Sequence, residues 1–191
     1  MKQYDRHLFS PLSLALTALF TALFVAGAFI KIPLPFSPVP LTLQTFFCMA
    51  AAVLLGWQNG LLAFSCYVFL GLAGLPVFSG GGGIGYALMP SFGFLIGMAI
   101  SIPVMCFVAH HMGTTFKGVL LAGIIGAVIT YIIGGPYMFL VLKLYMHSEN
   151  ARASWVLVNG CLIYMPLDAL KIFAAAAVCP RLSKIITKHF T

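Results

Sequence analysis

The chain has 191 residues, of which 62% are hydrophobic and only 7% carry a charge. Soluble globular domains usually contain about 25% charged residues, so this composition excludes that class and indicates an integral membrane protein. The net charge of +7 does not indicate a nucleic-acid-binding protein, because the cations are dispersed and lie mostly at the ends of apolar runs. We expect residues 1–191 to form a single transmembrane domain in the cell membrane.

Six apolar runs follow one another and fill almost the whole chain, which suits helices in a hydrocarbon core of about 30 Å. The runs are roughly Leu8–Ile30, Leu41–Gly56, Leu61–Phe78, Pro90–Ala109, Gly118–Met146 and Ser154–Pro180. The fifth run is long enough to be tilted, or broken at residues 134–136, Gly-Gly-Pro. The pattern predicts an all-α membrane protein with a bundle of six transmembrane helices.

The first run carries small residues at every fourth position. Ala18, Ala22 and Ala26 would lie on one helix face and form a flat stripe on which another helix can pack closely. Such a stripe fits packing within this chain's own bundle as well as contact with another membrane protein. The spacing alone leaves both interpretations open.

Three connections between the runs have distinctive sequences. Residues 33–40, here called the proline loop, follow the first run. They contain four prolines, which forbid a helix there. Residues 57–60, Trp-Gln-Asn-Gly, predict a short turn with an interfacial Trp. Residues 79–85 form a glycine loop whose backbone can approach a ligand closely. Non-helical backbone of this kind is tolerated near a membrane where it is buried in protein or lines a cavity.

Six spans would place both termini on the same side of the membrane. The Lys and Arg residues then divide into a larger set on the terminal side and a smaller set on the other. The larger set is Lys2, Arg6, Lys117, Arg181, Lys184 and Lys188, and the smaller is Lys31, Lys143 and Arg152. Because Lys and Arg are enriched on the cytoplasmic side, both termini are predicted to be cytoplasmic and the proline and glycine loops external.

Asp168 is the one carboxylate inside an apolar run, since Asp5 and Glu149 lie in locally polar stretches. An ionisable group at membrane depth is unfavourable by at least about 2.5 kcal/mol, so it normally faces a bundle interior or a cavity and finds a partner. Lys171 follows three residues later on the same helix face. The pair could hold two helices together, or it could bind an uncharged or zwitterionic group in a cavity.

Other chemical roles find little support in the sequence. The spacings of a nucleophile elbow or a catalytic triad are absent, so we expect no enzyme. Residues 80–83 lack the lysine of a phosphate-binding loop, so any nucleotide-driven step needs a partner protein. His110 and His111 have no third ligand nearby, and no metal site is expected. A proton-coupled carrier remains the main alternative, because a lone intramembrane carboxylate can titrate.

Aromatic residues close to the loops are candidates for the walls of a ligand cavity. Phe36, Tyr86, Trp155 and Tyr164 each supply a large apolar face, and the tyrosines add a polar tip. Anchoring at the membrane interface is the ordinary alternative for such residues.

Three segments occur together in a characteristic order. They are residues 32–44, Ile-Pro-Leu-Pro-Phe-Ser-Pro-Val-Pro-Leu-Thr-Leu-Gln; residues 74–81, Gly-Leu-Pro-Val-Phe-Ser-Gly-Gly; and residues 166–171, Pro-Leu-Asp-Ala-Leu-Lys. Each segment is weak alone, but the combination spans nearly the whole chain and resembles the BioY family. These proteins are the biotin-specific substrate-binding (S) subunits of energy-coupling-factor (ECF) transporters.

The resemblance implies a six-helix S-component bundle with a biotin pocket near the external face, covered by the proline and glycine loops. Asp168 and Lys171 match the family's Asp-x-x-Lys contact to biotin. The carboxylate would accept from the ureido N–H groups, and the ammonium would donate to the ureido oxygen or to the valerate carboxylate. The other expected contact residues are Phe36, Gln44, Gly81, Gly82, Gly83, Tyr86 and Tyr164.

The resemblance also implies a use for the alanine stripe. Ala18, Ala22 and Ala26 match a motif that docks on a transmembrane T subunit carrying two cytoplasmic ATP-binding subunits. Biotin would be captured outside and delivered inward by that assembly, with no cofactor beyond the ligand. Gly82 stands where family members often carry Asn, and Leu95 stands where some members carry Arg after a Gly-Pro-Ser/Thr-Gly-Gly-Tyr stretch. We therefore expect Asp168 and Lys171 to bear more of the polar recognition here.

Overall fold

A computed structural model describes residues 10–148 and 152–190, and for residues 187–190 the backbone alone. Four helical stretches are long and apolar enough to cross a membrane, and several shorter helices accompany them. The four stretches are Pro11–Phe29, Phe92–His111, Phe116–Tyr145 and Ala153–Ile186. The predicted helical membrane class is therefore confirmed.

Helix α1, Pro11–Phe29, begins where the sequence supplies a capping pair. The Ser10 side chain accepts from the Ser13 amide at 3.2 Å, and Pro11 occupies the first helical position, where its missing N–H is not needed. After α1 the chain forms a small hairpin in which β1, Lys31–Ile32, pairs antiparallel with β2, Leu41–Thr42. The proline loop connects the two strands, as its four prolines predict.

Helices α2, Gln44–Leu54, and α3, Gly56–Leu72, correct one prediction. Residues 57–60 do not form a turn, because they lie inside α3. The chain turns instead at Gly56, whose φ of +83° favours glycine. Gly60 then packs on α2, where an added Cβ would lie 3.2 Å from the Ala51 carbonyl oxygen.

The glycine loop leads from α3 into a short 3₁₀ helix, Ile84–Leu88, and then into α4, Phe92–His111. Helix α5, Phe116–Leu140, continues as a π-helical segment, Val141–Tyr145. The helix therefore passes through Pro136 unbroken, so of the two alternatives considered, tilt or a break, the break does not occur. Helices α4 and α5 approach closely because Gly97 leaves room, and a Cβ there would lie 2.8 Å from the Thr130 Cα.

The last span is built from three helical pieces. Helix α6, Ala153–Val156, runs into a π-helical segment, Leu157–Leu162, and α7, Met165–Phe190, follows after a short turn. Helix α7 packs on α2 and α5. The turn places Asp168 in the first turn of α7 rather than in the middle of one long helix.

The core between α1, α3 and the start of the glycine loop is aromatic. Phe24 of α1 meets Phe64 of α3 edge to face at 5.0 Å between ring centroids. Tyr67 of α3 meets Phe78, just before the glycine loop, in the same way at 5.3 Å. All four side chains are almost completely buried. This packing fixes the start of the glycine loop against α3.

Candidate ligand-binding site

A cavity of about 560 Å³, including the space at its open mouth, lies where α2, α4, α5 and α7 meet the hairpin and the glycine loop. Five of the nine predicted contact residues line it. They are Gln44, Tyr86, Tyr164, Asp168 and Lys171.

Asp168 is the centre of a polar cluster on the cavity wall. Its Oδ1 accepts from the Lys171 ammonium at 2.7 Å and from the Thr45 hydroxyl at 3.1 Å, while Oδ2 accepts from the Tyr131 hydroxyl. The Asp168 residue is 7% exposed. Its place in the first turn of α7 also puts the negative charge at the positive end of the helix dipole. We call Thr45, Tyr131, Asp168 and Lys171 the ionic cluster.

The ionic cluster keeps some hydrogen-bonding capacity. Lys171 uses two of its three N–H donors, on Asp168 and on Thr45 at 3.1 Å. The carboxylate of Asp168 accepts three hydrogen bonds and has room for about one more. The pair is neutral as a whole, yet it can offer one acceptor and one donor to a ligand. Such a site suits a group that carries N–H and C=O side by side.

A second polar group, the hydroxyl cluster of Ser79, Tyr86 and Ser91, lines the same cavity. The Tyr86 hydroxyl lies 3.1 Å from the Ser79 hydroxyl and accepts from Ser91 at 3.0 Å. The Tyr86 ring stacks on Phe78 with 4.4 Å between centroids, which holds the hydroxyl in place. The cluster therefore joins the glycine loop, the 3₁₀ helix and the residue before α4.

Gln44 and Tyr164 line the cavity, but their polar groups form hydrogen bonds within the protein. The Gln44 amide donates to the Tyr67 hydroxyl at 2.7 Å. The Tyr164 hydroxyl donates to the Val39 carbonyl and lies 2.6 Å from the Ser37 hydroxyl, both in the proline loop. Both residues therefore shape the cavity wall, and Tyr164 also holds the proline loop beside it.

Four predicted contact residues do not line the cavity. Phe36, at the outer part of the proline loop, is 49% exposed. Gly81, Gly82 and Gly83 lie in the glycine loop beside the wall. Gly81 and Gly83 have φ of +122° and +99°, and a Cβ on Gly82 would collide with the Leu75 carbonyl. These glycines shape the loop, because other residues cannot take their conformation or space.

The sequence interpretation missed the two hydroxyl partners of Asp168. Thr45 follows Gln44 at the start of α2, and Tyr131 lies in the middle of α5, 37 residues from Asp168 in sequence. A signal was present for Tyr131, since Thr130–Tyr131 is a polar pair inside a long apolar run. Nothing in the spacing relates either residue to Asp168, because only helix packing brings them together.

The alanine stripe lies on the outside of the bundle. Ala18, Ala22 and Ala26 are all exposed, while Phe20 and Phe24 on the opposite face of α1 are buried. Packing within this chain therefore does not use the stripe among the described residues.

Among residues 10–148 and 152–190, no three His, Cys, Asp or Glu side chains come together as a metal site would require. His110 and His111 lie at the end of α4, and their rings are 6.2 Å apart.

Comparisons with known proteins agree with one another. Residues 2–188 match the model of the BioY family. A probable biotin transporter BioY of Lysinibacillus sphaericus is 41% identical over 92% of this chain and 89% of the relative. The biotin transporter BioY of Thermotoga maritima is 37% identical over 87% of this chain and 93% of the relative.

A solved structure shows the same architecture. The crystal structure of the S-component for biotin from an ECF-type ABC transporter superposes with a TM-score of 0.71 at 26% identity, and covers 91% of each chain. The resemblance noted in the sequence is thereby confirmed, and this chain, a multi-pass membrane protein, belongs to the BioY family.

Proposed function

We propose that this protein is the biotin-binding S component of an ECF transporter, which captures biotin at the external face and delivers it inward with partner subunits. The observation that carries the proposal is the Asp168–Lys171 pair, 2.7 Å apart and largely buried in the wall of a cavity. The names of the relatives, all biotin transporters, support the choice of ligand. The protein itself performs no covalent chemistry.

The ionic cluster complements the ureido ring of biotin. The N–H groups of the ureido ring donate to the Asp168 carboxylate, and the carbonyl oxygen of the ring accepts from the Lys171 ammonium. Because the two protein charges neutralise each other, a neutral ring can bind there without leaving a buried charge unpaired. Tyr86 and Tyr164 add apolar wall beside the polar groups.

The membrane arrangement that we propose has six crossings, with the shorter helices α2 and α3 as two of them. Helix α2, with 11 residues, is only about 16 Å long, so the membrane or the bundle must accommodate it. Both termini then face the cytoplasm. This orientation rests partly on Lys2, Arg6 and the side chain of Lys188, which lie outside the described residues, and partly on exposed Lys117, Arg181 and Lys184.

The partner surface is the alanine stripe of α1. Exposed Ala18, Ala22 and Ala26 leave a flat strip that a helix of a T subunit can approach closely. That subunit, together with two ATP-binding subunits, supplies the energy for delivery.

Binding of labelled biotin to the purified protein tests the proposed ligand. We expect saturable binding that unlabelled biotin displaces best, desthiobiotin less well and lipoate poorly, because lipoate lacks the ureido ring. Equal displacement by lipoate and biotin would contradict a ureido-specific site.

Uptake into liposomes distinguishes the S component from a proton-coupled carrier. We expect the protein alone to bind biotin without accumulating it under an imposed proton gradient. Accumulation driven by the gradient, without ATP-binding subunits, would overturn the proposed dependence on partners.

Co-purification tests the partner surface. We expect Ala22→Trp to retain biotin binding and to lose association with the T subunit, because the indole occupies the space of the partner helix. Ala177→Trp, on an exposed position of α7, is the matched control and should keep both properties. Retention of the T subunit by Ala22→Trp would show that the stripe faces lipid.

A further inference from the structure

The ionic cluster cannot neutralise a negatively charged ligand. Asp168 and Lys171 already pair with each other at 2.7 Å. If the carboxylate of a ligand bound Lys171 directly, it would share one ammonium with Asp168, and the two negative charges would repel each other. Biotin carries a carboxylate at the end of its tail, so the cavity needs another cation for that end.

Lys31 is a cation at the rim of the cavity. It lies in β1 directly opposite Thr42 of β2, which lines the cavity, and paired residues of an antiparallel ladder point to the same face. Its ammonium donates to the carbonyl of Ser79, another residue of the cavity wall. The side chain of Lys31 therefore reaches from the hairpin to the glycine loop, beside two residues of the cavity wall.

The charge of Lys31 has no carboxylate partner within the part of the chain that the structure describes. Asp168 is the one acidic residue there, and it pairs with Lys171. Lys31 uses one of its three N–H donors on Ser79, so two remain. Lys31 is exposed, so its ammonium stays hydrated until an anion arrives.

The hydroxyl cluster supplies a further donor beside Lys31. Ser79, Tyr86 and Ser91 have three hydroxyl protons, and their two mutual hydrogen bonds consume two of them. Whichever of Ser79 and Tyr86 donates to the other, one O–H remains available. Because Ser79 belongs to the cluster and its carbonyl also accepts from Lys31, the free O–H and the free ammonium donors lie close together beside the cavity.

We infer that Lys31, together with the free hydroxyl of the hydroxyl cluster, binds the carboxylate of the ligand's tail. The inference rests on the proposed function and assigns the second half of the same site. The ring then binds the ionic cluster, and the tail leads to the hairpin and the glycine loop. An anion held there also strengthens the link between the two loops, since Lys31 contacts both.

The test compares biotin with biotin amide, which has the same ring and a neutral tail. We measure the affinity of both ligands for the wild-type protein and for Lys31→Gln, which keeps a donor for the Ser79 carbonyl but removes the charge. We expect Lys31→Gln to bind biotin about tenfold more weakly, as the loss of a charge-assisted hydrogen bond predicts, and to bind the amide as before.

Two further variants separate charge from loop structure. Lys31→Arg keeps both the charge and the donors, so we expect it to retain the preference of the wild type for biotin over the amide. Lys117→Ala, at an exposed lysine on α5, should leave both affinities unchanged. Added salt should reduce the preference for biotin in the wild type and have little effect in Lys31→Gln, because salt screens an exposed ion pair.

The outcomes are distinct. An equal loss for both ligands in Lys31→Gln would assign Lys31 to loop structure alone and overturn the inference, and so would unchanged biotin affinity. If the wild type bound neither ligand, the proposed function itself would be refuted, and this inference with it. Equal wild-type affinity for the two ligands would refute the anion site but leave the ureido site standing.

Discussion

The ionic cluster and the hydroxyl cluster line the same cavity but are built on different kinds of backbone. Thr45, Tyr131, Asp168 and Lys171 project from three helices that pack together. The hydroxyl cluster projects from the glycine loop, a 3₁₀ helix and the residue before α4. The helix-borne cluster contains a carboxylate and an ammonium that satisfy each other, whereas the loop-borne cluster is neutral and lies beside an unmatched lysine.

This difference separates two tasks. Helices fix the ionic cluster before a ligand arrives, so its geometry can select a rigid ring. The hydroxyl cluster is neutral and is held by the stack of Tyr86 on Phe78, so it can offer an O–H donor at a fixed place to the end of a flexible tail. We therefore expect substitutions in the ionic cluster to remove binding and substitutions in the hydroxyl cluster to weaken it.

The largest effect is expected for Asp168→Asn. Removing one partner of a buried ion pair leaves the Lys171 charge unpaired and typically costs about 3–5 kcal/mol. We expect biotin affinity to fall more than about 100-fold and the unfolding temperature in detergent to fall as well. Labelled-biotin binding and a thermal unfolding curve measure the two effects.

A neutral double variant separates stability from recognition in that experiment. Asp168→Asn combined with Lys171→Met contains no buried charge, so its stability should recover toward the wild type while biotin binding stays lost. Recovery of binding would show that the pair holds helices together and does not contact the ligand.

Tyr131→Phe should have the next largest effect. The substitution keeps the ring and removes the hydroxyl that donates to Asp168 Oδ2. A hydrogen bond to a charged group is worth about 1.5–3 kcal/mol, so we expect affinity to fall at least about tenfold. Titration with labelled biotin measures it. Tyr145→Phe, at a tyrosine that is 60% exposed, is the control, and an equal loss in that variant would contradict a specific role for Tyr131.

Gly82→Ala tests the fit of the glycine loop. A Cβ at Gly82 would lie 2.7 Å from the Leu75 carbonyl carbon and 3.2 Å from the Gly71 carbonyl oxygen. The loop must shift, and overpacking of this kind destabilises proteins by about 1–3 kcal/mol. A thermal unfolding curve measures the loss. Gly85→Ala is the matched control, since an added Cβ there meets no atom within 4 Å, and similar losses in both variants would contradict this explanation.

Tyr86→Phe should have the smallest effect. The ring can stay stacked on Phe78, while the hydrogen bonds to Ser79 and Ser91 are lost. A hydrogen bond between neutral groups contributes about 0.5–1.5 kcal/mol, so the loss of one O–H donor to the ligand should lower biotin affinity about twofold to tenfold. Equilibrium binding measures it. A loss as large as that of Asp168→Asn would erase the proposed distinction between the two clusters.

Much of the ionic cluster could be predicted from the sequence because charge is so scarce. One carboxylate in an apolar run, with a lysine three residues later, defines a pair on local grounds alone. Its partners Thr45 and Tyr131 could not be predicted, because α2 and α5 reach α7 only through packing between distant parts of the chain. The helical fold could also be predicted from the sequence, since apolar runs are local features.

The error of prediction at residues 57–60 also has a physical cause. Residues 57–60 contain turn-forming types, but Gly56 already reverses the chain, and the following residues complete the first turns of α3. The direct contacts expected of Gly81, Gly82 and Gly83 stay a prediction, since these residues lie in the loop beside the cavity wall. Their conformations serve the shape of the loop, which a composition rich in glycine does not distinguish from ligand contact.

Tyr164 connects the proline loop to the first turn of α7. Its hydroxyl bonds to the proline loop at Val39, and its carbonyl accepts from the Asp168 amide at 2.9 Å. The proline loop therefore cannot lift away without breaking a hydrogen bond only four residues before the ion pair. For a ligand held beneath the loop, this connection changes rates rather than affinity. The same barrier slows dissociation of a bound ligand and association of the next one.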